Sequence, residues 1–347
     1  MTDSSAGKPP RRERYTGKNP RRFDQKYKEH QADRYTADIE KILASGKTPA
    51  GSHRPIMVDE ILAVLKPSIG EIAVDCTLGH GGHASRLLQA IEPGGKLIGL
   101  DTDPLELPKT EARLRATLCD PQSLIVVRSN FVGLAHALAI HAPGGVDMLL
   151  ADLGLSSMQI DDPKRGFSYK HDGPLDMRMN PLKGLAASEW IARISLPDLV
   201  KQLSENADEP QAEPLARAIL QAQSRSPLTT TQSLVAVVRR VMSNNSEATS
   251  SATVQRVFQA IRIAVNDEFG SLDALLRQLP TSMKSGGRIT ILSFHSGEDR
   301  RVKSAFKLGL ASGAFTQISE DVIRTSFGEQ HANPRSAAAK LRWAVSG

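Results

Sequence analysis

A glycine-rich turn flanked by carboxylates is the most informative feature of this 347-residue sequence. A short apolar run, Ile72–Val74, ends in Asp75, and Gly79, Gly81 and Gly82 follow closely. The pattern predicts a buried strand, then a glycine turn, then a helix. Such a turn brings backbone N–H groups, rather than side chains, against a ligand. It therefore favours a nucleotide-like ligand.

Two cofactor classes compete for this turn. A dinucleotide site has the pattern G-x-G-x-x-G/A with a carboxylate about 20 residues later, and Gly79, Gly81 and Ala84 fit it. The spacing Asp75-x-x-x-Gly79-x-Gly81 is instead typical of S-adenosylmethionine-dependent methyltransferases. That ligand has a cationic amino-acid tail and no pyrophosphate. Because a carboxylate at the strand end suits a cation and repels a pyrophosphate, we favour S-adenosylmethionine.

Three more residues follow the ends of predicted strands. Asp101 comes 22 residues after Gly79 and can accept hydrogen bonds from ribose hydroxyls, or cap a turn. Phe131 would pack on the adenine face or belong to the core. Asp152 ends the fourth strand, from which sheets of this type present groups to a ligand. An acceptor there suits a target amine, because holding its hydrogens directs the nitrogen lone pair towards the methyl group.

Strand-like and helix-like segments alternate around these residues. Strands are predicted at 72–74, 96–100, 124–127 and 146–151, with helices between them. The next convincing strand is Arg288–Phe294, and helix-like segments fill the interval before it. Strands alternating with helices imply a parallel sheet with right-handed crossovers. We therefore expect an α/β, doubly wound (Rossmann-like) methyltransferase domain with an inserted α-helical domain; two sequential domains are the alternative.

The predicted organisation has three parts. Residues 1–45 form a basic, disordered N-terminal tail, residues 46–159 and 256–347 form the methyltransferase domain, and residues 160–255 form the inserted helical domain. Ordered structure is expected to begin near His53. Residues 243–253 are polar and of low complexity, which predicts a mobile loop. Residues 284–287 are expected to form a turn that begins the next strand.

Charge and cysteine usage bear on partners and compartment. The net charge is +6 and the pI about 9.3, and residues 8–28 are dense in Lys and Arg with interleaved aromatic residues. An RNA-binding arm, a solvated tail and an organellar transit peptide all fit that segment. Cys76 and Cys119 have no metal-binding spacing and fit a reducing cytoplasm. No apolar run approaches the ~20 residues of a membrane span, and no secretory signal is expected.

The remaining polar motifs have plainer explanations of similar or greater weight. His80 and His83 lack a further Cys/His cluster, so we expect no metal. The absence of G-x-S-x-G makes hydrolysis an unfavoured explanation of the Ser293–Asp299 motif. Three pairs would either contact substrate or form ion pairs, caps and helix-surface contacts within the fold: His295 with Asp299, Asp176 with Arg178, and Arg262 with Asn266.

Several motifs occur in a fixed order along the chain. They are Thr77–His83, Asp152–Gln159, Arg165–Ser168, Asp172–Met179, Phe258–Glu268, Ser293–Asp299, Asn333–Arg335 and Ala339–Arg342. Across residues 53–343 this series resembles the MraW-type family of small-subunit (16S) ribosomal RNA cytosine-N4 methyltransferases. The resemblance implies a methyltransferase domain interrupted by a helical domain. It also implies methylation of N4 of a cytosine in the decoding region of the small ribosomal subunit.

The resemblance also implies the site residues. By motif, the cofactor-binding residues are Gly81, Gly82, His83, Asp101, Phe131, Asp152 and Gln159. Asp152 is in addition the expected catalytic residue. The chain departs from the family pattern at residues 205–209, 250–251, 297 and 337–338. These departures lie away from the cofactor motifs and concern RNA contact rather than the reaction.

The sequence as a whole is thus expected to be a cytoplasmic enzyme that uses S-adenosyl-L-methionine. Its expected partner is 16S ribosomal RNA in the small subunit, with no membrane and no metal, and a homodimer is left open. Two other function classes remain as alternatives. One is a non-catalytic ribosome-assembly factor on the same fold, and the other is a dinucleotide-dependent oxidoreductase.

Overall fold

A seven-stranded sheet organises the part of the chain that the computed structural model describes, residues 55–347. The strands are β1 (Ile72–Asp75), β2 (Lys96–Asp101), β3 (Leu124–Arg128), β4 (Val146–Asp152), β5 (Met283–Ser293), β6 (Phe315–Ile318) and β7 (Lys340–Ser346). Their spatial order is β3-β2-β1-β4-β5-β7-β6. The first five strands are parallel, and β7 runs antiparallel to both β5 and β6. This is a Rossmann-like methyltransferase fold, which confirms the predicted fold class.

The strand sequences explain why the sheet is parallel at its centre. β1 and β4 are near-continuous apolar runs that are buried along almost their whole length. Such runs are typical of strands covered on both faces. Successive residues point to opposite faces, so Val74 joins one buried cluster and its neighbour Ala73 joins another. The sheet therefore lies between two hydrophobic layers.

Helices supply those layers. The helices associated with the sheet are α1 (Val58–Leu65), α2 (Gly82–Ile91), α3 (Leu107–Arg115), α4 (Leu134–His141), α11 (Glu268–Ser282) and α12 (Ser296–Ala311). On one face α1, α2 and α3 contribute residues such as Ile61, Leu87 and Leu114. On the other face α4, α11 and α12 contribute residues such as Leu134 and Phe306. Helices on both faces make the fold doubly wound.

The chain between β4 and α11 is helical. It contains α5 (Ser157–Asp161), α6 (Ala187–Arg193), α7 (Leu196–Ala207), α8 (Ala212–Arg225), α9 (Thr231–Val241) and α10 (Glu247–Asn266). Residues of α6 to α10 share a hydrophobic cluster of their own, which includes Ile191, Leu203, Ile219 and Val238. This cluster is what a helical insertion requires. The domain limits at 160 and 255 remain a prediction, and α10 runs through residue 255 without a break.

Two local predictions are wrong. Residues 247–253 belong to α10 rather than to a mobile loop, because the Ser246 side chain accepts a hydrogen bond from the Thr249 N–H and so caps the helix. Ser250 and Thr253 are buried on its inner face. Residues 284–287 lie within β5, where Gly286 has φ of +74° and the register against β4 shifts. A bulge, rather than a turn before the strand, accommodates these glycines.

The C-terminal part of the chain adds elements that the sequence did not predict. These are β6, a short helix α13 (Phe327–Ala332) and β7. Among residues 55–347, no helix is both long and apolar enough to cross a membrane. The predicted tail at residues 1–45 and the predicted start near His53 lie outside the described residues.

Candidate cofactor and active site

The glycine turn connects β1 to α2 at the place where the strand order of the sheet reverses. β1 pairs with β2 on one side and with β4 on the other. At such a switch point the two neighbouring crossovers leave on opposite sides and open a crevice at the carboxyl ends of the strands. Asp75, Asp101 and Asp152 all end strands at this edge. The structure thus brings three predicted carboxylates to one crevice.

Gly81 gives the turn its conformation. It precedes α2 with φ of +72°, and a Cβ atom there would lie 3.1 Å from the Leu114 side chain. Only glycine adopts this backbone at little cost. Its own N–H donates to the Leu78 carbonyl, and Gly82 begins the helix. The first N–H groups of a helix have no acceptor within it, so those of Gly82 and His83 suit an anionic group.

Asp101 ties the turn to the neighbouring strand. One carboxylate oxygen accepts from the Gly79 N–H at 2.7 Å, and the other accepts from the Asp103 N–H at 2.8 Å. Burial raises the pKa of Asp101, and these two N–H donors oppose the rise. Each oxygen keeps a second lone pair, so the carboxylate can still accept hydrogen bonds from ribose hydroxyls.

Asp75, His83 and Asp152 form a buried polar group beneath the turn. The Asp152 N–H donates to Thr77 Oγ1 at 2.7 Å, and the Thr77 N–H donates to Asp75 Oδ1 at 3.0 Å. His83 Nε2 lies 3.5 Å from Asp152 Oδ2. Burial raises the pKa of Asp75 to about 6, and the nearby His83 opposes the rise. The Asp152 side chain is 29% exposed and remains accessible from the crevice.

Gln159 enters the site through a capping box. Its side-chain oxygen accepts from the Ser156 N–H, while its own N–H donates to Ser156 Oγ at the start of α5. The remaining amide group donates to Asp103 Oδ2 at 3.0 Å. The structure therefore places Gln159 beside the loop after β2, with Asp103 between it and Asp101.

Comparison with known protein families places the chain in one of them. The family model described as the MraW methylase family matches residues 50–346. The chain belongs to the MraW methylase family. Membership confirms the predicted resemblance and the methyltransferase class, with S-adenosylmethionine as the methyl donor.

Curated relatives of this MraW methylase extend over nearly the whole chain. Ribosomal RNA small subunit methyltransferase H 1 of Lachnoclostridium phytofermentans is 44% identical and covers 96% of this chain and 92% of its own. Ribosomal RNA small subunit methyltransferase H 2 of Alkaliphilus metalliredigens is 41% identical and covers 99% of both. The solved rRNA methylase of Streptococcus thermophilus aligns with a TM-score of 0.39 and 10% identity over 83% of this chain and 93% of that one.

Two buried residues of the site were not singled out from the sequence. Asp103 Oδ2 also accepts from Arg165 Nη1 at 2.9 Å, and Arg165 donates to the carbonyls of Arg178 and Met179. Burial raises the pKa of Asp103, but Arg165 and the hydrogen bonds from Leu105 and Gln159 together hold it below its usual value. Asp103 follows Asp101 by two positions and Arg165 opens a family motif, so proximity to those features was the available signal.

Phe131 lies at the same edge of the sheet, beyond β2 from the switch point. It opens a short 3₁₀ segment, Phe131–Gly133, directly after β3. Its partly buried ring packs against the hydrophobic cluster beneath α4. Both predicted roles, an adenine contact and a core aromatic, remain compatible with this position, and its role in cofactor binding remains a proposal.

The other candidate pairs make contacts within the fold. The Arg178 guanidinium pairs with the Asp176 carboxylate. Arg262 pairs with Glu268, and the Asn266 amide bonds the backbone of Met177 and Met179. His295 faces Glu298, and Asp299 pairs with Arg342. These are the plainer of the two explanations that the sequence offered for each pair.

One group of potential metal ligands occurs among residues 55–347. Single ligand atoms of Glu268, His295 and Glu298 lie within 4.8 Å of one another. Both Glu268 oxygens accept from Arg262, at 2.7 and 2.8 Å, and Glu298 Oε2 accepts from the Phe294 N–H. Internal donors thus already use these carboxylates. The expectation that no metal takes part remains a prediction.

Proposed function

We propose that this protein transfers a methyl group from S-adenosylmethionine to the exocyclic N4 of a cytosine in the decoding region of small-subunit ribosomal RNA. Relatives named ribosomal RNA small subunit methyltransferase H support the RNA substrate. The position of Asp152 is the observation that favours an amine as the methylated group. Its carboxylate ends β4 at the switch point of the sheet, and its backbone is fixed by Thr77.

The residues present fit the cofactor. Gly81 lets the turn pack closely against Leu114, where a Cβ atom would crowd that side chain. The start of α2 then offers N–H groups that have no acceptor within the helix to the carboxylate of an amino-acid tail. Asp101 can accept from ribose hydroxyls, and Gln159 supports the adjoining loop through Asp103. S-adenosylmethionine, when bound, supplies a methyl group activated by a positively charged sulfur.

Asp152 then acts on the cytosine. The N4 lone pair is delocalised into the ring, and a carboxylate that accepts an N4–H hydrogen bond favours its release towards an electrophile. The lone pair forms the new N–C bond, and the electron pair of the broken C–S bond stays on sulfur. The proton lost from N4 passes to the Asp152 carboxylate. Because pairing and stacking within a helix keep N4 out of reach, the cytosine is turned out of its helix to enter the crevice.

The cysteines argue against methylation at carbon 5 of the base, which requires a nucleophilic thiolate. Cys76, directly after Asp75, is buried, and burial together with the charge of Asp75 raises its pKa well above the usual value. It therefore remains a thiol near neutral pH. Cys119 is exposed and lies in the connection between the C-terminus of α3 and the start of β3. An amine target needs no such nucleophile.

The test is methylation of small ribosomal subunits by the full chain, followed by nucleoside mass spectrometry. We expect N4-methylcytosine at one site. Asp152→Ala is expected to lower the single-turnover rate by about 1,000-fold, because it removes both the hydrogen-bond acceptor for N4–H and the group that takes the released proton. Calorimetry gives the affinity of the variant for S-adenosylmethionine, and single turnover at saturating cofactor separates the loss of the acceptor from any loss of cofactor binding. The exposed Glu320→Gln is the matched charge control and should leave the rate unchanged.

Three results would contradict the proposal. Near-normal turnover by a folded Asp152→Ala protein removes the role of that carboxylate. A 5-methylcytosine product moves the reaction to another atom. Tight binding to small subunits with no methylation of any RNA by the wild-type protein favours the non-catalytic assembly factor.

A further inference from the structure

The imidazole of His83 faces the carboxylate of Asp152 rather than the open crevice. His83 is the second residue of α2, and its side chain is only 8% exposed. Its Nε2 atom lies 3.5 Å from Asp152 Oδ2 and has no hydrogen-bond partner among residues 55–347. The two groups are within ion-pair distance but are not aligned as a hydrogen bond. A buried ring nitrogen without a partner is uncommon and calls for a role.

The family resemblance gives His83 a part in cofactor binding, and its backbone can play that part. The N–H of a residue in the first turn of α2 is available to an anionic ligand whatever its side chain. The imidazole is nearly buried and lies beside Asp152 at the end of β4, so its contacts are distinct from those of the backbone N–H. The contacts of the ring therefore identify a second function of this residue.

We propose that His83 is a positioning residue whose imidazole holds the Asp152 side chain in the orientation needed to receive the N4–H of the target cytosine. This inference rests on the proposed function. The backbone of Asp152 is anchored to Thr77, and Thr77 to Asp75, while His83 faces the free end of the same side chain. Asp75, Thr77, Asp152 and His83 thus form a chain of contacts that ends at the imidazole. With Oδ2 turned to the imidazole, Oδ1 is left for the substrate.

The charges around the ring explain why a donor is needed there. Asp75 on β1, Asp101 on β2 and Asp152 on β4 are neighbouring carboxylates, and His83 is the basic side chain that acts against the raised pKa of Asp75. Like charges disfavour ionisation of one another. A hydrogen bond from the imidazole to Asp152, formed in the reacting complex, would offset this repulsion. In unliganded sites such contacts are often long and shorten in the reacting complex.

Two substitutions separate positioning from cofactor binding. His83→Leu removes the donor and keeps an apolar group of similar size, while His83→Gln keeps an N–H at about the same distance from the backbone. We expect His83→Leu to lower kcat about 10- to 100-fold, the usual effect of losing a hydrogen bond to a charged group. Its affinity for S-adenosylmethionine, measured by calorimetry, should change less than about 3-fold. His83→Gln should recover most of the lost rate.

The separation of kcat from cofactor affinity, together with rescue by His83→Gln, is a readout that a purely structural role would not give. A weakened affinity for S-adenosylmethionine with normal kcat at saturation would overturn the proposal and indicate that the imidazole binds the cofactor instead. An unchanged kcat in His83→Leu, or a loss in His83→Leu that His83→Gln does not recover, would also overturn it.

A measurement without RNA keeps the inference separate from the proposed substrate. In nitrogen-15 NMR spectra of the full chain with S-adenosylmethionine, we expect a slowly exchanging imidazole N–H that is lost in Asp152→Ala. Its persistence in that variant would contradict the pairing, even if methylation proceeds as proposed. If the pairing is found but the wild-type protein makes no N4-methylcytosine, the proposed function fails instead.

Discussion

Arg165 and Asp103 form an ion pair that joins the segment after β4 to the loop after β2. The distance from Arg165 Nη1 to Asp103 Oδ2 is 2.9 Å, and the side chains are 11% and 3% exposed. The same guanidinium bonds the carbonyls of Arg178 and Met179, and Asn266 of α10 bonds the same loop. The start of the helical region is thereby connected to the loop that adjoins Asp101.

We expect Arg165→Met to destabilise the protein by about 3 kcal/mol, because it leaves the Asp103 carboxylate buried without its cation. Urea unfolding at pH 7 measures the loss. Burial raises the pKa of Asp103, but Arg165 and the hydrogen bonds outweigh burial and the net pKa is lowered. The stabilisation is therefore complete above about pH 4 and is lost as pH falls through the lowered pKa. Arg217→Met, whose partner Glu213 is also exposed, is the control and should cost at most about 0.5 kcal/mol. Equal losses in the two variants would contradict the assignment.

Asp75 makes the opposite contribution to the pH dependence of stability. Its pKa is raised to about 6 by burial, so between about pH 4 and pH 6 the unfolded chain releases this proton before the folded protein does. The free energy of unfolding therefore decreases as pH rises from about 4 to about 6, by about 3 kcal/mol for a pKa raised by about two units. In Asp75→Asn the fall should be absent, which urea unfolding from pH 4 to pH 7 will show.

The control for Asp75 is Asp147→Asn. Asp147 accepts from the Ile72 N–H and from Lys284, and these contacts outweigh its burial and lower its pKa. Its stabilisation is present above about pH 4 and is lost below it, the reverse of the effect at Asp75. The Asn variant should therefore be weakened at pH 7 and little changed in acid. Parallel pH profiles for the two variants would refute both assignments.

The central strands could be predicted from the sequence because each is recognisable from its own short run of residues. β1 and β4 are covered on both faces, so their apolar runs stand out, and each ends in a carboxylate that marks the crevice. β7 alternates between buried and partly exposed residues and was read only as a family motif. β6 has only four residues, and two of them, Thr316 and Gln317, are polar. Such strands at and near the edge of a sheet give a weak signal in a single sequence.

The parts of the candidate site that depend on local sequence could also be predicted, but its long-range contacts could not. Gly81, Asp101 and Asp152 follow from strand ends and turn chemistry. Asp103 and Arg165 are 62 positions apart, and no periodicity connects two residues that meet only after the chain has folded. The direction of the His83 ring likewise depends on where α2 begins. The start of α10 was missed because a run of small polar residues resembles a loop, and only its capping and burial distinguish it as helix.

Asp101→Asn should weaken S-adenosylmethionine binding by about 10- to 100-fold. The carboxylate accepts one backbone N–H on each oxygen, from Gly79 and from Asp103. An asparagine has a single acceptor oxygen, so its NH₂ group would face one of those donors and loosen the turn as well as losing a ribose contact. Calorimetry gives the affinity. Asp120→Asn, at a carboxylate that accepts the Gln122 N–H, is the control and should bind normally. Equal affinity of the two variants would exclude Asp101 from the ribose site.

Gly81→Ala tests whether the shape of the turn, and not only its flexibility, matters for cofactor binding. At φ of +72° an alanine costs about 1 to 2 kcal/mol, and its Cβ would also press on Leu114 at 3.1 Å. We expect both a lower melting temperature and an affinity for S-adenosylmethionine reduced about 10-fold. Gly94 has φ of +82° with open space around it, so Gly94→Ala carries the same backbone cost without the contact. It should lower the melting temperature and leave the affinity unchanged. If both variants bind the cofactor equally well, the close approach at Gly81 is not part of the site.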